Sequence, residues 1–208
     1  FDQDPAASER TEAGVQAAWP VLRALRADLP ATPPLHQLQF FGSIEEMAAA
    51  SDLVQENVGE ALAVKREVIS AIDVALPADR LILSSSGGVP PTRLQGFCRH
   101  PERLLLGHPF HPAHLVPLVE VLPGDNTRPD AVDVAMSFYR RLGKHPILLR
   151  KEMVGHLSNR LQFALLREAI HCLSEGVASA TDIDAAMRWG LAPRWALMGP
   201  LMTSNLAG

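Results

Sequence analysis

Residues 81–88, Leu81-Ile82-Leu83-Ser84-Ser85-Ser86-Gly87-Gly88, decide the fold. Three consecutive aliphatic side chains leave no polar face, which is the pattern of a strand covered on both sides. The run then gives way to small hydroxyl-bearing residues and glycine. A buried strand that ends this way belongs to a parallel sheet whose carboxyl end opens toward a ligand. Working outward, residues 52–58 (DLVQENV) read as the preceding strand and residues 60–76 as the helix between the two. Residues 104–106, 118–122 and 146–149 are further short apolar runs, and residues 129–142 form a helix among them. Strands alternating with helices predict a parallel α/β sheet.

Toward the N terminus, Asp4-Pro5 opens a helix that runs to about Asp28, where the prolines from Pro30 to Pro34 break it. A short strand is expected at residues 39–41. Ser43 and Glu46 form a capping box for a helix through Ala50. After Arg150 the periodicity changes. Leu157, Leu161, Leu165 and Ala169 recur every fourth residue, and Phe163, Leu166, Ile170 and Leu173 fill the adjacent stripe. So wide a stripe predicts a helix buried on most of its surface and ended by Gly176. Thr181 and Asp184 are expected to cap a second helix, closed by Gly190 and Pro193. The domains expected are an α/β domain over residues 1–151 and an all-α domain over 152–208.

Composition limits the function classes. The 208 residues are 47% hydrophobic and 20% charged, with a formal net charge of −4. No disordered segment is indicated, and no basic face for nucleic acid or anionic lipid is expected. No run approaches the roughly 18 apolar residues of a membrane span. Two cysteines, Cys98 and Cys172, are too few for a disulfide framework, so the default compartment is the cytoplasm.

The segment richest in chemistry is Gly107-His108-Pro109-Phe110-His111-Pro112, followed by Pro117-Leu118-Val119-Glu120-Val121. An imidazole at a strand end and a carboxylate on the next strand can hold one tautomer for proton abstraction near neutral pH. A solvated Glu120 beside a structural His108 is the alternative reading. His108, His111 and His114 recur every third residue. Pro109, Pro112 and Pro117 forbid the helix that would gather them, so no metal site is assigned. Asn159, a poor helix former, sits early in the long helix and suggests a polar contact.

Taken in order, these segments resemble the 3-hydroxyacyl-CoA dehydrogenase superfamily, and the resemblance spans nearly the whole chain. It rests on Asp2, the block from Asp52 to Lys65, Ser84-Ser85-Ser86, GHPFHP, PLVEV, LGKHPILL, the block from Gly155 to Gln162 and that from Asp182 to Met187. The tail Arg194-Trp195-Ala196-Leu197-Met198-Gly199-Pro200-Leu201 most closely resembles the L-carnitine dehydrogenase branch. The branch of L-gulonate dehydrogenase and lambda-crystallin is next.

The resemblance implies a Rossmann-type domain carrying NAD, a helical domain that forms a homodimer, and oxidation of a 3-hydroxyl to a ketone. It implies His108 as general base, Glu120 as its orienting partner, and Ser86 and Asn159 as holders of the reacting oxygen. Asp2 would hold the adenine ribose, with Glu60 and Lys65 near the nicotinamide half. His111 stands where the family has Asn, and Gly87 where it has its active-site Ser. His111 and Trp195 are the expected substrate contacts, Trp195 as an aromatic face for a trimethylammonium group. The glycine-rich loop and first strand of the Rossmann fold have no counterpart here, so the chain is expected to be a portion of a longer protein. Other activities consistent with the resemblance are 3-hydroxyacyl-CoA or L-gulonate dehydrogenation, or a non-catalytic crystallin-like role.

Overall fold

The computed structural model describes residues 1–207 and divides into two compact units, Phe1–Leu157 and Ser158–Gly208. The first opens with helix α1 (Ala7–Leu25) and helix α2 (Ile44–Ala49), the latter capped by Ser43, whose Oγ accepts from the Glu46 N–H. There follow β1 (Leu53–Glu56), α3 (Leu62–Ala75), β2 (Leu81–Ser84), α4 (Pro91–Gln95), β3 (Leu104–Pro109), β4 (Leu118–Pro123), α5 (Pro129–Arg141) and β5 (His145–Leu148). The strands lie in the sheet in sequence order. Pairs β1–β2, β2–β3 and β4–β5 are parallel, while β3–β4 is antiparallel. The sheet is thus dominated by parallel pairs, with one reversal at the strands that carry His108 and Glu120.

Side chains alternate between the two faces of each strand, and each face has its own cover. Val54, Ile82 and Leu104 pack with Ile69, Ile72 and Leu94 from the α3 and α4 side. Leu81, Leu83, Leu105, Val119 and Val121 pack against Ala131, Ala135 and Tyr139 of α5. Burial on both faces explains the aliphatic runs of β2 and of the start of β3. Far from the site, the Arg103 guanidinium donates to both Asp73 Oδ1 and the backbone carbonyls of Leu76 and Pro77. That buried pair fixes α3 to the start of β3.

The expected strand at residues 39–41 does not form. A 3₁₀ turn at Leu35–Gln37 and the Ser43 cap leave only an extended linker there, with no strand beside it among the described residues.

The second unit contains α6 (Ser158–Ser174), α7 (Ala180–Ala186), a π-helical turn (Met187–Leu191), α8 (Ala192–Leu197) and α9 (Pro200–Leu206). Gly176, with φ 67°, follows α6 as the left-handed residue that ends it. Three expectations are corrected here. Ser179, not Thr181, caps α7, because its Oγ accepts from the N–H three residues on, that of Asp182. Gly190 and Pro193 do not close the helix. Gly190 lies within the π turn, and Pro193 sits in the first turn of α8, where its missing N–H leaves no bond unmade. Finally, α6 has no buried residue in this chain; Leu161, Phe163, Leu166 and Ile170 are exposed.

Candidate active site

Strand register brings the base and the carboxylate together. His108 and Glu120 are directly opposed across the antiparallel β3–β4 pair. By alternation they share the face of Leu106 and Leu122, so their side chains meet instead of diverging. His108 Nδ1 lies 2.9 Å from Glu120 Oε2, with the histidine 8% exposed and the glutamate fully buried. The carboxylate can only accept when ionised, so Nδ1 carries the proton and Nε2 is left with its lone pair. Glu120 Oε1 accepts from the Leu157 N–H at 3.1 Å. Both carboxylate oxygens are therefore held, and the imidazole cannot rotate without losing a buried bond.

The position of His108 is set from behind by Gly107. A Cβ there would overlap the Tyr139 hydroxyl, which donates to Gln55 Oε1, while Gln55 Nε2 donates to the Gly107 carbonyl. Burial pushes the Tyr139 phenol above its ordinary value.

The loops after β1 and β2 form the neighbouring edge. Glu60, exposed, accepts from Ser86 Oγ at 2.7 Å and from the Gly87 N–H at 2.8 Å, tying the two loops together. Ser86 Oγ in turn accepts from the Val89 N–H. The single hydroxyl proton of Ser86 is thus committed to Glu60, and the side chain acts on its own loop instead of presenting a donor to a reacting oxygen. Lys65 is fully buried, and its ammonium donates to both oxygens of Glu56 and to the Val58 carbonyl. Ser84 Oγ and the Val58 N–H complete the Glu56 carboxylate. With its three donors used, Lys65 supports the β1 loop from beneath and is not aimed at a ligand.

Parallel strands β1, β2 and β3 end at this one edge. Gly87 and Gly88 leave its backbone uncovered, and a Cβ at Gly88 would meet nothing closer than Glu60 Oε2 at 3.7 Å. An open carboxyl edge with small residues fits a nucleotide laid across the strand ends. Asp2, exposed, accepts from the Asp4 N–H and borders a surface hollow of about 440 Å³ that Phe1, Leu38 and Phe40 also line.

The remaining candidates fall elsewhere. His111 is exposed in the β3–β4 connection. Asn159 lies half-buried in the first turn of α6, and Trp195 is half-buried in α8, both within the helical unit. Trp189 is 78% exposed, and the Arg188 guanidinium lies over its ring, 5.7 Å from the centroid. No group of three or more potential metal ligands occurs among the described residues.

One residue escapes the sequence reading altogether. His156 is 2% exposed, its Nε2 lies 2.9 Å from the Ser86 carbonyl oxygen, and its ring centroid is 5.3 Å from that of His108. The sequence shows only a histidine directly after Gly155; in the structure the pair is left-handed, with φ 76° and 49°.

A model of the 3-hydroxyacyl-CoA dehydrogenase NAD binding domain matches residues 1–153, and one of the C-terminal domain of the same enzymes matches residues 155–208. This chain belongs to the 3-hydroxyacyl-CoA dehydrogenase family. Within the family, it is 44% identical to an L-carnitine dehydrogenase of Burkholderia mallei, covering 99% of this chain and 64% of that protein. It is 42% identical to the L-carnitine dehydrogenase of Streptomyces griseus, over 100% of this chain and 62% of the relative. The chain thus spans a little under two thirds of the length of these relatives. Among solved structures, 5-formyl-3-hydroxy-2-methylpyridine 4-carboxylic acid 5-dehydrogenase, an NAD+-dependent dismutase, superposes with a TM-score of 0.90. It shares 34% identity, covering 99% of this chain and 66% of that one. The (S)-3-hydroxybutyryl-CoA dehydrogenase of Ralstonia eutropha gives a TM-score of 0.82 at 25% identity, covering 92% and 68%.

Proposed function

We propose that, within the full-length protein, this chain builds the site of an NAD-dependent dehydrogenase that oxidises the 3-hydroxyl of L-carnitine to a ketone. The buried His108–Glu120 pair beside the open carboxyl edge of the sheet carries the chemical reading. Identity of 38% to 44% with proteins named L-carnitine dehydrogenase supports the substrate.

His108 takes the hydroxyl proton at Nε2, the nitrogen not engaged by Glu120. Glu120 stabilises the resulting imidazolium and, through its second bond to Leu157, keeps the ring in one orientation. NAD bound at the open strand edge would supply the hydride acceptor for the carbon that bears the hydroxyl. Glu60, Ser86 and Gly87 shape the floor beneath the nicotinamide half, Lys65 and Glu56 brace that floor, and Asp2 meets the adenine ribose. The exposed apolar stripe of α6 supports a homodimer formed through the helical unit. We place the protein in the cytoplasm, and no helix of the described residues is long and apolar enough to cross a membrane.

The test is NADH formation by the full-length protein with L-carnitine, 3-hydroxybutyryl-CoA and L-gulonate in parallel. Carnitine is expected to give the highest kcat/KM. A higher value for another substrate overturns the substrate assignment, and no turnover with any overturns the reaction.

A further inference from the structure

The segment between β5 and α6 brings a second imidazole to the dyad, and that imidazole is incompletely bonded. His156 Nε2 faces the Ser86 carbonyl oxygen, which can only accept, so Nε2 holds a proton and donates. Nδ1 of the same ring is buried and meets no hydrogen-bond partner among the described residues. The backbone there is left-handed, φ 49°, which a residue with a Cβ rarely adopts. An orphaned ring nitrogen and a strained backbone at one residue, 5.3 Å from the base, mark a position held for a ligand.

We propose that His156 binds the carboxylate of the substrate through Nδ1 while His108 addresses the 3-hydroxyl. This rests on the reading that the site oxidises a 3-hydroxy carboxylate, and it assigns the second anchoring group. In such a substrate the hydroxyl is on C3 and the carboxylate is C1, so the two polar groups hang from carbons separated by one methylene. Two imidazoles side by side address both at once. Donation from Nδ1 with Nε2 still bonded to Ser86 requires the imidazolium, so binding the carboxylate takes up one proton from solvent. The ring meets His108 on β3, itself paired with Glu120 on β4, and the carbonyl of Ser86, whose hydroxyl is bonded to Glu60. After His108 has taken the hydroxyl proton, each imidazolium has its own counter-charge: Glu120 for His108 and the substrate carboxylate for His156.

The experiment uses the full-length protein saturated with NAD. The probes are 4-trimethylammoniobutanoate, which keeps the carboxylate and cation but lacks the hydroxyl, and its methyl ester. Calorimetric titration in two buffers of different ionisation enthalpy reads affinity and proton uptake together. The wild type is expected to take up close to one proton with the acid at pH ~8 and none with the ester. His156→Phe keeps a ring in place but removes both nitrogens. It is expected to weaken the acid by about tenfold or more, abolish the uptake and leave the ester within about twofold, as a lost charge-assisted bond requires. In turnover the loss falls on the KM for carnitine instead of kcat. Wild type that oxidises carnitine yet binds the acid without proton uptake overturns this assignment and leaves the proposed reaction intact. Equal weakening of acid and ester in His156→Phe also overturns it, by assigning the ring to packing. Failure of the wild type to oxidise any 3-hydroxy acid is the separate result that removes the underlying reading.

Discussion

Replacing Glu120 by glutamine keeps the shape of the site while removing one charge and one acceptor. The carboxylate accepts from His108 Nδ1 at 2.9 Å and from the Leu157 N–H at 3.1 Å. An amide has only one oxygen for these two donors. If its oxygen stays on Leu157, the NH₂ faces His108 and forces Nδ1 to accept; the proton then moves to Nε2 and the base is lost. If the oxygen stays on His108, two N–H groups confront each other at Leu157. The charge effect is separate. A cation and an anion 2.9 Å apart attract by about 6 kcal/mol at an effective dielectric near 20. That attraction exists only once His108 has become imidazolium, so it favours the proton transfer and not the ground state. At roughly 1.4 kcal/mol per tenfold, it bounds the effect near four powers of ten. The expected loss in kcat/KM is therefore about 10³–10⁴-fold for Glu120→Gln in the full-length enzyme. The assay is initial-rate NADH formation, with the urea midpoint measured alongside to establish folding. A folded variant within about tenfold of wild type would show that Glu120 does not orient or stabilise the base.

Other perturbations read the frame around the site. Lys65→Met strands the Glu56 carboxylate in a fully buried position and should lower stability by about 3–5 kcal/mol in urea denaturation; a change below about 1 kcal/mol would mean the pair is dispensable. Gly107→Ala places a methyl group against the buried Tyr139 hydroxyl and should destabilise by about 1–3 kcal/mol, an effect that Tyr139→Phe in the same chain should partly relieve. Burial pushes the Cys98 thiol up to about 12 and raises the Tyr139 phenol, whereas in the unfolded chain they ionise near 8.5 and 10. The folded state then binds more protons, so stability is complete below about pH 8.5 and falls as pH rises toward 12; a flat urea midpoint from pH ~8 to ~11 would contradict this.

Strand positions were legible because burial on both faces leaves aliphatic runs such as Leu81–Leu83, and Ser84 marks where the sheet edge opens. The proximity of His108 and Glu120 was legible as a spacing, but the antiparallel pairing that aligns them is a property of register, which no local pattern encodes. Lys65 was placed near the nicotinamide half by the resemblance alone; its partner Glu56 is nine positions away, and only the turn of the chain between β1 and α3 brings the two together. Thr181 and Ser179 compete for the same cap by composition, and Ser179 wins through the position of one N–H. His156 was invisible because a histidine after glycine carries no signal until its φ and its neighbours are known.

The turn at residues 154–157 ties the dyad to a third segment of the chain, beyond the two opposed strands. Gly155 and His156 are consecutive left-handed residues, and a left-handed residue with a Cβ costs roughly 1–2 kcal/mol. The turn recovers that cost in two contacts made on successive residues: the His156 ring donates to the Ser86 carbonyl, and the Leu157 N–H reaches Glu120. A hydrogen bond to a charged group contributes about 1.5–3 kcal/mol and one between neutral groups about 1, so the balance favours the strained turn. Glycine at 156 would remove the strain and keep the Leu157 bond, but it would free the Ser86 carbonyl and empty the space beside His108. Strain at this turn is therefore tied to the imidazole itself, through the bond its Nε2 makes to the Ser86 carbonyl.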